Sequence, residues 1–391
     1  MSDFKAIILA GGSGERFWPL STPEKPKQFL NVFGGDSLIR QSVRRLRGLV
    51  KPQDVFVITS KALVAATRRE LPEIPRANIV GEPMRRDTGA AVALGVGLAM
   101  LGSDRVGVGS DRVGVGSDRV ARRASCATLR DPKAYATLRD PKACATLRDP
   151  KAYATLRDAN DSRDSGDTVL GFFPSDQLAT DPVRFRKTIA AAVAKAKESD
   201  SVVTVGIRPD YPATQFGYVD PKTGRFVEKP DARKAKLYLK RGYLWNAGMF
   251  IGRAETFKRA FAKHAPELLP LLTSRVSRPA SLKSVYESLP RISFDFAVME
   301  KLHDVKVVKG DFGWDDVGSY GAFDRYFPHD SHGNVREGPC TAVEADGNIC
   351  VARSARISLL GVKNLVVVTT PDYVLVADKS RITEMKKLFG K

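Results

Sequence analysis

The stretch LAGGSGERFWPL, from Leu9 to Leu20, overlaps an apolar run at Ala6 to Ala10 that fits a short buried strand. Three glycines and a serine end that run. Glycine lets the backbone approach a ligand closely and point its N–H groups at an anion. The sequence therefore predicts a strand that leads into a phosphate-binding loop. The loop consists of Leu9, Ala10, Gly11, Gly12, Ser13 and Gly14.

Two cations follow the loop, namely Arg16 and, within the PKQF of Pro26 to Phe29, Lys27. Arginine offers a planar fork to phosphate oxygens and lysine offers a compact point charge, so the pair suits a polyphosphate better than a single carboxylate. We predict that Arg16 and Lys27 are catalytic residues that stabilise phosphate charge.

Three common types of loop do not fit this stretch. The Gly-Lys-Ser/Thr that closes a Walker A motif is missing, and Phe17 stands at the last glycine position of the dinucleotide fingerprint. Glu15 stands at the final glycine position of G-x-S-x-G, so the loop is not a nucleophile elbow. A plain strand-turn-helix connection would explain the glycines, but it would not explain the FWPL and PKQ that follow them.

The whole segment resembles the signature of the sugar-1-phosphate nucleotidyltransferases, and FWPL and PKQF are most similar to the mannose-1-phosphate guanylyltransferases (GDP-mannose pyrophosphorylases). The resemblance covers residues 1–101 and 168–391. It implies transfer of GMP from GTP to mannose 1-phosphate with Mg²⁺ as cofactor, and it places the glycine loop on the nucleotide. A sister enzyme with another base or hexose, and a non-catalytic regulatory relative, are open alternatives.

Composition limits the class of protein. The 391 residues are 43% hydrophobic and 27% charged, which is enough for two domains and a sizeable core. We see no signal peptide or membrane span, and the four cysteines lack C-x-x-C spacing, so we expect a cytoplasmic protein without a zinc site or disulfide framework. The net charge is +19, but Lys and Arg are dispersed. We therefore expect a basic surface that attracts phosphorylated substrates, with no nucleic-acid or membrane partner.

Strand and helix patterns alternate after the loop. Strands are predicted at Val55 to Thr59 and Ile79-Val80, and helices at Lys61 to Leu71 and Asp87 to about Leu101. An earlier helix, capped by Asp36 or Ser37, is predicted to carry its apolar face on Leu38, Ile39, Val43, Leu46 and Leu49. This alternation predicts an α/β, Rossmann-like fold, with a mostly parallel sheet and helices on both faces.

Glu82 and Pro83 follow one of these strands. Ligands of parallel sheets bind beyond the carboxyl ends of the strands, where the glycine loop also lies. The family resemblance places Glu82 and Pro83 beside the nucleotide base. By position alone, a solvated loop acid is an equal alternative for Glu82.

Near-perfect tandem repeats fill residues 101–167. The unit SDRVGVG occurs at Ser103 and Ser110 and begins again at Ser117, and the unit ATLRDPKAY starts at Ala127, Ala136, Ala145 and Ala154. Each copy has too few apolar side chains to offset its ordering entropy, and it is shorter than the units of solenoid proteins. We predict a flexible surface insertion, which limited proteolysis should cut first.

Two aspartates are candidate metal ligands. Asp176 follows the apolar strand VLGFF, which begins at Val169, and Asp316 lies in WDDVG. A lone Asp after a strand is commonly a helix cap, but Mg²⁺ is usually held by one or two carboxylates plus substrate phosphates. The resemblance assigns the metal to Asp176 and Asp316, as catalytic residues, and leaves Asp315 unassigned.

Three further motifs are similar to the sugar-phosphate half of the family. They are FGYV, VEKP and LWNAGMF. The resemblance implies that Gly217 packs against the hexose, that Glu228 and Asn246 bond its hydroxyls, and that Lys229 holds its phosphate. Taken singly, Glu228 and Lys229 are an ordinary charged strand end, and Trp245 is more typical of a core.

The domain prediction follows from these motifs. Residues 1–100 and 168–328 form the two parts of a catalytic domain, and residues 101–167 are the insertion. Short Val/Ile-rich runs separated by glycine turns predict a small β-rich domain at 329–391, with a last helix from Ser380 to Leu388. In the family that the chain resembles, this domain often makes dimer contacts, so a homodimer is expected.

Overall fold

The computed structural model describes residues 4–12, 14–101, 168–273 and 279–389. Ser13 and, apart from Leu101, the predicted repeat insertion lie outside the described residues. None of the helices in the described ranges has the length and apolar character needed to cross a membrane.

A nine-stranded sheet forms the centre of the part of the chain that precedes residue 329. Its parallel part comprises β1 (Phe4–Ala10), β2 (Val55–Ser60), β3 (Ile79–Glu82) and β4 (Val169–Pro174). These strands are almost wholly buried, as expected for parallel strands covered on both faces. The loops after β1, β3 and β4 all leave from their carboxyl ends, where the predicted site residues lie.

One long strand runs against the others. Its neighbours complete the sheet: β6 (Val203–Ile207), β7 (Tyr218–Val219), β8 (Phe226–Val227), β9 (Leu244–Arg253) and β10 (Lys306–Gly310). The strand β9 is antiparallel to β4 and β6, while β10 is parallel to β6. The strand order along the main path of the sheet is β10-β6-β9-β4-β1-β2-β3. The strands β5 (Leu178–Ala179) and β11 (Trp314–Asp315) form a separate antiparallel pair. Because β9 runs in the opposite direction, its first residues lie beside the carboxyl ends of β4 and β6. This direction brings Asn246 to the same edge as the glycine loop.

Helices cover both faces of the sheet, as predicted. Their bounds are α1 (Leu38–Arg44), α2 (Val64–Glu70), α3 (Asp87–Leu101), α4 (Pro182–Ser199), α5 (Ala232–Lys240), α6 (Ala254–His264), α7 (Pro279–Ser288), α8 (Phe294–Ala297) and α9 (Gly321–Tyr326). Ile7 of β1 packs on the side of α3, and Ile8 packs on the side of α4. The helix α3 is buried on all sides from Gly89 to Ala99. Its neighbours approach closely, since a Cβ at Gly97 would lie 2.2 Å from the carbonyl oxygen of Leu271.

Two helix predictions were wrong in extent. The helix capped by Ser37 ends at Arg44, so Leu46 and Leu49 lie in the turn that follows it, where Gly48 has a φ of +87°. Leu46 is nevertheless buried, because the turn folds back onto the core. The predicted helix at Lys61 to Leu71 begins as a 3₁₀ turn over Lys61–Leu63 and becomes α-helical only from Val64.

The C-terminal part is β-rich, as predicted. Its strands are β12 (Val335–Glu337), β13 (Cys340–Val343), β14 (Ile349–Ala352), β15 (Ile357–Leu360), β16 (Leu365–Thr369) and β17 (Val374–Asp378). Parallel pairing stacks β12, β14 and β16, and pairs β13 with β15. The predicted last helix is a 3₁₀ helix over Lys379–Phe389.

This β-rich part packs on the segment that follows the glycine loop. Between ring centroids, Trp18 lies 5.1 Å from Tyr373 and 5.7 Å from Phe389. Phe17, which is buried, lies 5.3 Å from Tyr320 in the segment that precedes the β-rich part. The Tyr320 hydroxyl also donates to the Phe17 carbonyl oxygen at 3.0 Å. These contacts fix the short 3₁₀ turn Glu15–Phe17, which carries Arg16.

Candidate active site

A cavity of about 240 Å³ opens beyond the carboxyl end of β1. Its lining consists of Gly12, Gly14, Glu15, Arg16, Phe17, Lys27, Asp176, Asp316 and Gly318. Gly14 has a φ of +64°, and a Cβ there would lie 2.5 Å from the backbone nitrogen of Lys27. Glycine is therefore required for Lys27 to close against the loop. The four residues predicted to be catalytic lie together in this cavity. We call it the phosphate cavity, after the prediction that Arg16 and Lys27 stabilise phosphate charge.

Lys27 joins the loops that carry the two aspartates. Its Nζ donates to Asp176 Oδ2 at 3.1 Å and to the backbone carbonyl oxygen of Asp316 at 2.6 Å. Lys27 is only 6% exposed, and the Gln28 amide holds the turn by donating to the Ala10 carbonyl oxygen at 3.0 Å. An ammonium group has three donors, so one remains for a ligand oxygen in addition to these two contacts.

The two carboxylates suit a divalent cation. Burial raises the pKa of Asp316; Lys27 opposes that rise, and the Asp176 carboxylate adds to it. Within the described ranges, no cluster of three or more Asp, Glu, His or Cys residues could hold a metal ion by itself. A cation bound here would need substrate oxygens and water to complete its shell, and Mg²⁺ is usually bound in that manner.

Asp315 plays a different part from its neighbour. Its carboxylate accepts from Arg325 Nε at 2.7 Å, from the Tyr326 hydroxyl at 3.1 Å and from the Val317 backbone N–H at 2.6 Å. These contacts hold the WDDVG turn in place. Asp316 is consequently the carboxylate of this pair that lines the phosphate cavity.

A second cavity, of about 540 Å³, lies beside the first. Its lining consists of Gly11, Ser60, Lys61, Ala62, Glu82, Pro83, Met84 and Arg85. Glu82 is 9% exposed, so it is not the solvated loop acid that its position alone allowed. Burial raises the pKa of Glu82 to about 7, and the hydroxyl of Tyr286 opposes that rise by donating to Oε1 at 3.0 Å. We call this space the base pocket, after the prediction that Glu82 and Pro83 lie beside the nucleotide base.

The predicted sugar-phosphate residues also lie together. The Asn246 backbone N–H donates to the Gly217 carbonyl oxygen at 2.8 Å, and a Cβ on Gly217 would lie 2.6 Å from Glu228 Oε2. Glu228 is 6% exposed in its side chain and pairs with Lys229 Nζ at 2.5 Å. Glycine at position 217 is therefore required by the approach of Glu228. We call these four residues the sugar cluster.

The profile of the family described as "Nucleotidyl transferase" matches residues 5–138 and 150–332. The chain belongs to the nucleotidyl transferase family. A second profile, described as "MannoseP isomerase/GMP-like beta-helix domain", matches residues 338–391 of this nucleotidyl transferase. This match agrees with the stacked parallel strands of the C-terminal part.

Similar proteins cover nearly the whole nucleotidyl transferase. Mannose-1-phosphate guanylyltransferases of Klebsiella pneumoniae and Escherichia coli are 30% identical to it over 97% of this chain and 72% of their own. The xanthan biosynthesis protein XanB of Xanthomonas campestris is 30% identical over 99% of this chain and 73% of its own. A Thermus thermophilus crystal structure described as "mannose-1-phosphate geranyltransferase" has a TM-score of 0.75 at 31% identity, covering 99% and 98% of the two chains. That structure confirms the predicted fold.

Two residues of the site were missed by the sequence reasoning. Tyr286 holds Glu82, and Asp295 Oδ1 accepts from Asn246 Nδ2 at 3.3 Å. Burial raises the pKa of Asp295 to about 7, and the Glu228 carboxylate adds to the rise. An acid inside the otherwise apolar FDFAVM is a sequence signal that could have drawn attention to Asp295, although it does not reveal the partner of that residue.

Not every predicted nucleotide-binding residue presents a side chain or a vacant backbone group to a cavity. The Ala10 carbonyl oxygen accepts from Gln28 and, at 3.1 Å, from the Thr59 hydroxyl, while the Leu9 carbonyl oxygen accepts from the Ser175 N–H at 3.1 Å. Leu9 and Ala10 thus hold the loops around the cavity together. Among the described loop residues, Gly12 and Gly14 line the phosphate cavity and Gly11 lines the second cavity.

Proposed function

We propose that this nucleotidyl transferase transfers GMP from GTP to α-D-mannose 1-phosphate, giving GDP-mannose and pyrophosphate. The observation that carries the proposal is the placing of two consecutive glycines. Gly11 lines the base pocket and Gly12 lines the phosphate cavity, so one nucleotide can lie across the loop with its base on one side and its phosphates on the other. The relatives named as mannose-1-phosphate guanylyltransferases support the choice of substrates.

Glu82 is proposed to read the base. An ionised carboxylate has two acceptor oxygens and no donor. Guanine presents two neighbouring donors, N1–H and the N2 amino group, on its Watson–Crick edge, whereas adenine presents an acceptor at N1. Because the Tyr286 hydroxyl donates a hydrogen bond to Oε1 and so fixes the carboxylate, Glu82 is oriented before the nucleotide binds.

The reaction needs no covalent enzyme intermediate. An oxygen of the sugar phosphate attacks the α-phosphorus, a new P–O bond forms, and the P–O bond to the leaving pyrophosphate breaks in line with it. Arg16 and the remaining donor of Lys27 are placed to offset charge on the phosphate oxygens. We assign Mg²⁺ to Asp176 and Asp316; when bound, it supplies additional positive charge at the phosphates.

The sugar cluster is proposed to hold mannose 1-phosphate. Glu228 and Asn246 offer an acceptor and a donor to hexose hydroxyls, and Lys229 offers a cation to the phosphate. Gly217 contributes indirectly, because the absence of a Cβ at this position admits the Glu228 carboxylate and not the hexose ring itself. Hydroxyl recognition by buried polar groups discriminates strongly, because a wrong sugar leaves those groups unpaired.

Pyrophosphate release tests the proposal directly. The purified full-length protein is assayed with GTP, ATP, UTP and dTTP, each combined with mannose, glucose or N-acetylglucosamine 1-phosphate. We expect GTP with mannose 1-phosphate to give the highest kcat/KM. A preference for another pair would contradict the substrate assignment, and no release with any pair would contradict catalysis.

A pH profile tests Glu82. Only the ionised carboxylate accepts both guanine donors, so lowering the pH through a pKa of about 7 removes the binding form. Between pH 8 and pH 6 the KM for GTP should rise about tenfold from this titration. Two charged groups also act on Glu82: Asp87 raises its pKa, and Arg85 lowers it.

The matched variant is Glu82→Gln, which should have a raised KM for GTP at pH 8 and a flatter profile below it. Titration of GTP itself affects both proteins equally, so the difference between the profiles reports Glu82. Glu287→Gln, at a solvent-exposed acid paired with Lys283, serves as control and should match the wild type. An unchanged profile in Glu82→Gln would show that this carboxylate does not read the base.

We also propose a homodimer through the C-terminal part, and a cytoplasmic location, where GTP is abundant. Large apolar side chains are exposed there at Val343, Leu360, Val374, Val376 and Leu388. An exposed apolar face on an edge strand such as β17 is typical of an interface. Sedimentation should give the mass of a dimer for the wild type and of a monomer for Val376→Asp; a monomeric wild type would contradict the proposal.

A further inference from the structure

The orientation of the Asn246 side chain is fixed by its neighbours. Its Oδ1 lies 2.8 Å from the Thr204 hydroxyl and accepts from the Gly248 backbone N–H at 3.1 Å. Its Nδ2 consequently faces Asp295, whose Oδ1 lies 3.3 Å away. Rotating the amide by 180° would set its NH₂ against the Gly248 N–H and its oxygen against the carboxylate. Both contacts would be repulsive, so a single orientation is selected.

Asp295 is itself held in position by the start of α3. The Phe294 backbone N–H donates to the Thr88 hydroxyl at 2.9 Å, and the Gly89 N–H donates to the Ile292 carbonyl oxygen at 3.1 Å. A Cβ on Gly89 would lie 2.7 Å from that same oxygen, so the two segments are as close as their backbones allow. The start of α3 follows the base pocket directly. The backbone beside Asp295 is therefore held in place, so that Asp295 can orient the Asn246 side chain of the sugar cluster.

We propose that Asp295 is a positioning residue for hexose recognition. By accepting from Asn246 Nδ2, it holds the Asn246 amide in the orientation in which its NH₂ is available to the hexose. One N–H of Asn246 goes to Asp295, and the second can then donate to a hexose hydroxyl. The inference rests on the proposed function, because it takes the sugar cluster to be the site of mannose 1-phosphate. It assigns Asp295 no contact with the reacting atoms.

Two substitutions separate positioning from mere structure. Asp295→Ala removes the acceptor, so the KM for mannose 1-phosphate should rise about tenfold, the factor that corresponds to one hydrogen bond. The KM for GTP should stay within about twofold, because the base pocket and the phosphate cavity are not altered. Asp295→Asn retains an acceptor oxygen for the Asn246 NH₂, so it should restore most of the affinity.

Thr204→Val tests the same orientation from the other side of the amide. It removes the hydroxyl beside Asn246 Oδ1 while keeping the shape of the side chain. It too should raise the KM for mannose 1-phosphate and not that for GTP, and it keeps the proposal testable if Asp295→Ala does not fold. Glu287→Gln, on the same part of the chain, is the control and should leave both constants unchanged.

The outcomes are distinct from those of the substrate panel. If the wild type prefers GTP and mannose 1-phosphate but Asp295→Ala or Thr204→Val leaves the KM for mannose 1-phosphate unchanged, the positioning role is overturned and the proposed function stands. Equal rises in both KM values, or no recovery in Asp295→Asn, would also overturn it, since they indicate a general structural defect. A wild type with another preferred pair would instead overturn the proposed function.

Discussion

Asp316→Asn should lower the kcat for pyrophosphate release by about a hundredfold or more, because the phosphate cavity loses one of the two charges that we assign to Mg²⁺. The substitution changes the charge at position 316 without removing the contact with Lys27. Lys27 contacts the backbone carbonyl oxygen of Asp316 and not its side chain, so this contact survives the change. Asp176→Asn should be at least as harmful, but it also removes the ion pair with Lys27.

The fold should tolerate Asp316→Asn. Burial raises the pKa of Asp316, so holding the ionised form at neutral pH costs the folded state free energy, and that cost grows as the pH rises through the folded-state pKa. A neutral amide of the same size removes this cost. The melting temperature should therefore stay level or rise, while turnover collapses.

The measurement is kcat over a titration of Mg²⁺, with Asp311→Asn as control, since the side chain of Asp311 is 94% exposed and forms a surface ion pair with Arg184. In Asp316→Asn, the Mg²⁺ concentration for half-maximal rate should rise well above that of the wild type. Near-normal turnover at limiting Mg²⁺ would show that Asp316 is not a metal ligand.

The glycine loop and its cations could be predicted because the signal is local. Gly14 needs its positive φ for the approach of Lys27, and both residues stand in one short stretch of sequence. The sequence around Asp315 and Asp316 does not show which of the two carboxylates lines the phosphate cavity. That outcome depends on Arg325 and Tyr326, which hold Asp315 in the folded chain. The family resemblance supplied that choice, and no spacing in the sequence did.

The positioning residues could not be predicted, because their partners are remote. The contact of Tyr286 with Glu82 joins residues 204 positions apart, and that of Asp295 with Asn246 joins residues 49 apart. Neither residue stands in a motif with a recognisable ligand pattern. The environment of Glu82 likewise includes Tyr286 of α7, which is close to Glu82 only in the folded chain.

Lys27→Met and Arg16→Ala should each reduce kcat by about two orders of magnitude, since each removes a cation from the leaving pyrophosphate. Their secondary effects should differ. Methionine keeps the buried stem of Lys27 but leaves Asp176 without its ammonium partner. Lys27→Met should therefore also lower the melting temperature measured without Mg²⁺. Arg16 is exposed, so Arg16→Ala should fold as the wild type does.

Steady-state kinetics and thermal melting, measured together, separate the two roles. Loss confined to the KM for GTP would mean that the residue binds the ground state and the transition state equally, and it would contradict a catalytic role. Lys27→Arg is the informative third variant. It restores the charge, but a guanidinium is too wide for a space in which the lysine Nζ already reaches two oxygens, at 3.1 and 2.6 Å. If position as well as charge matters, Lys27→Arg should remain as slow as Lys27→Met.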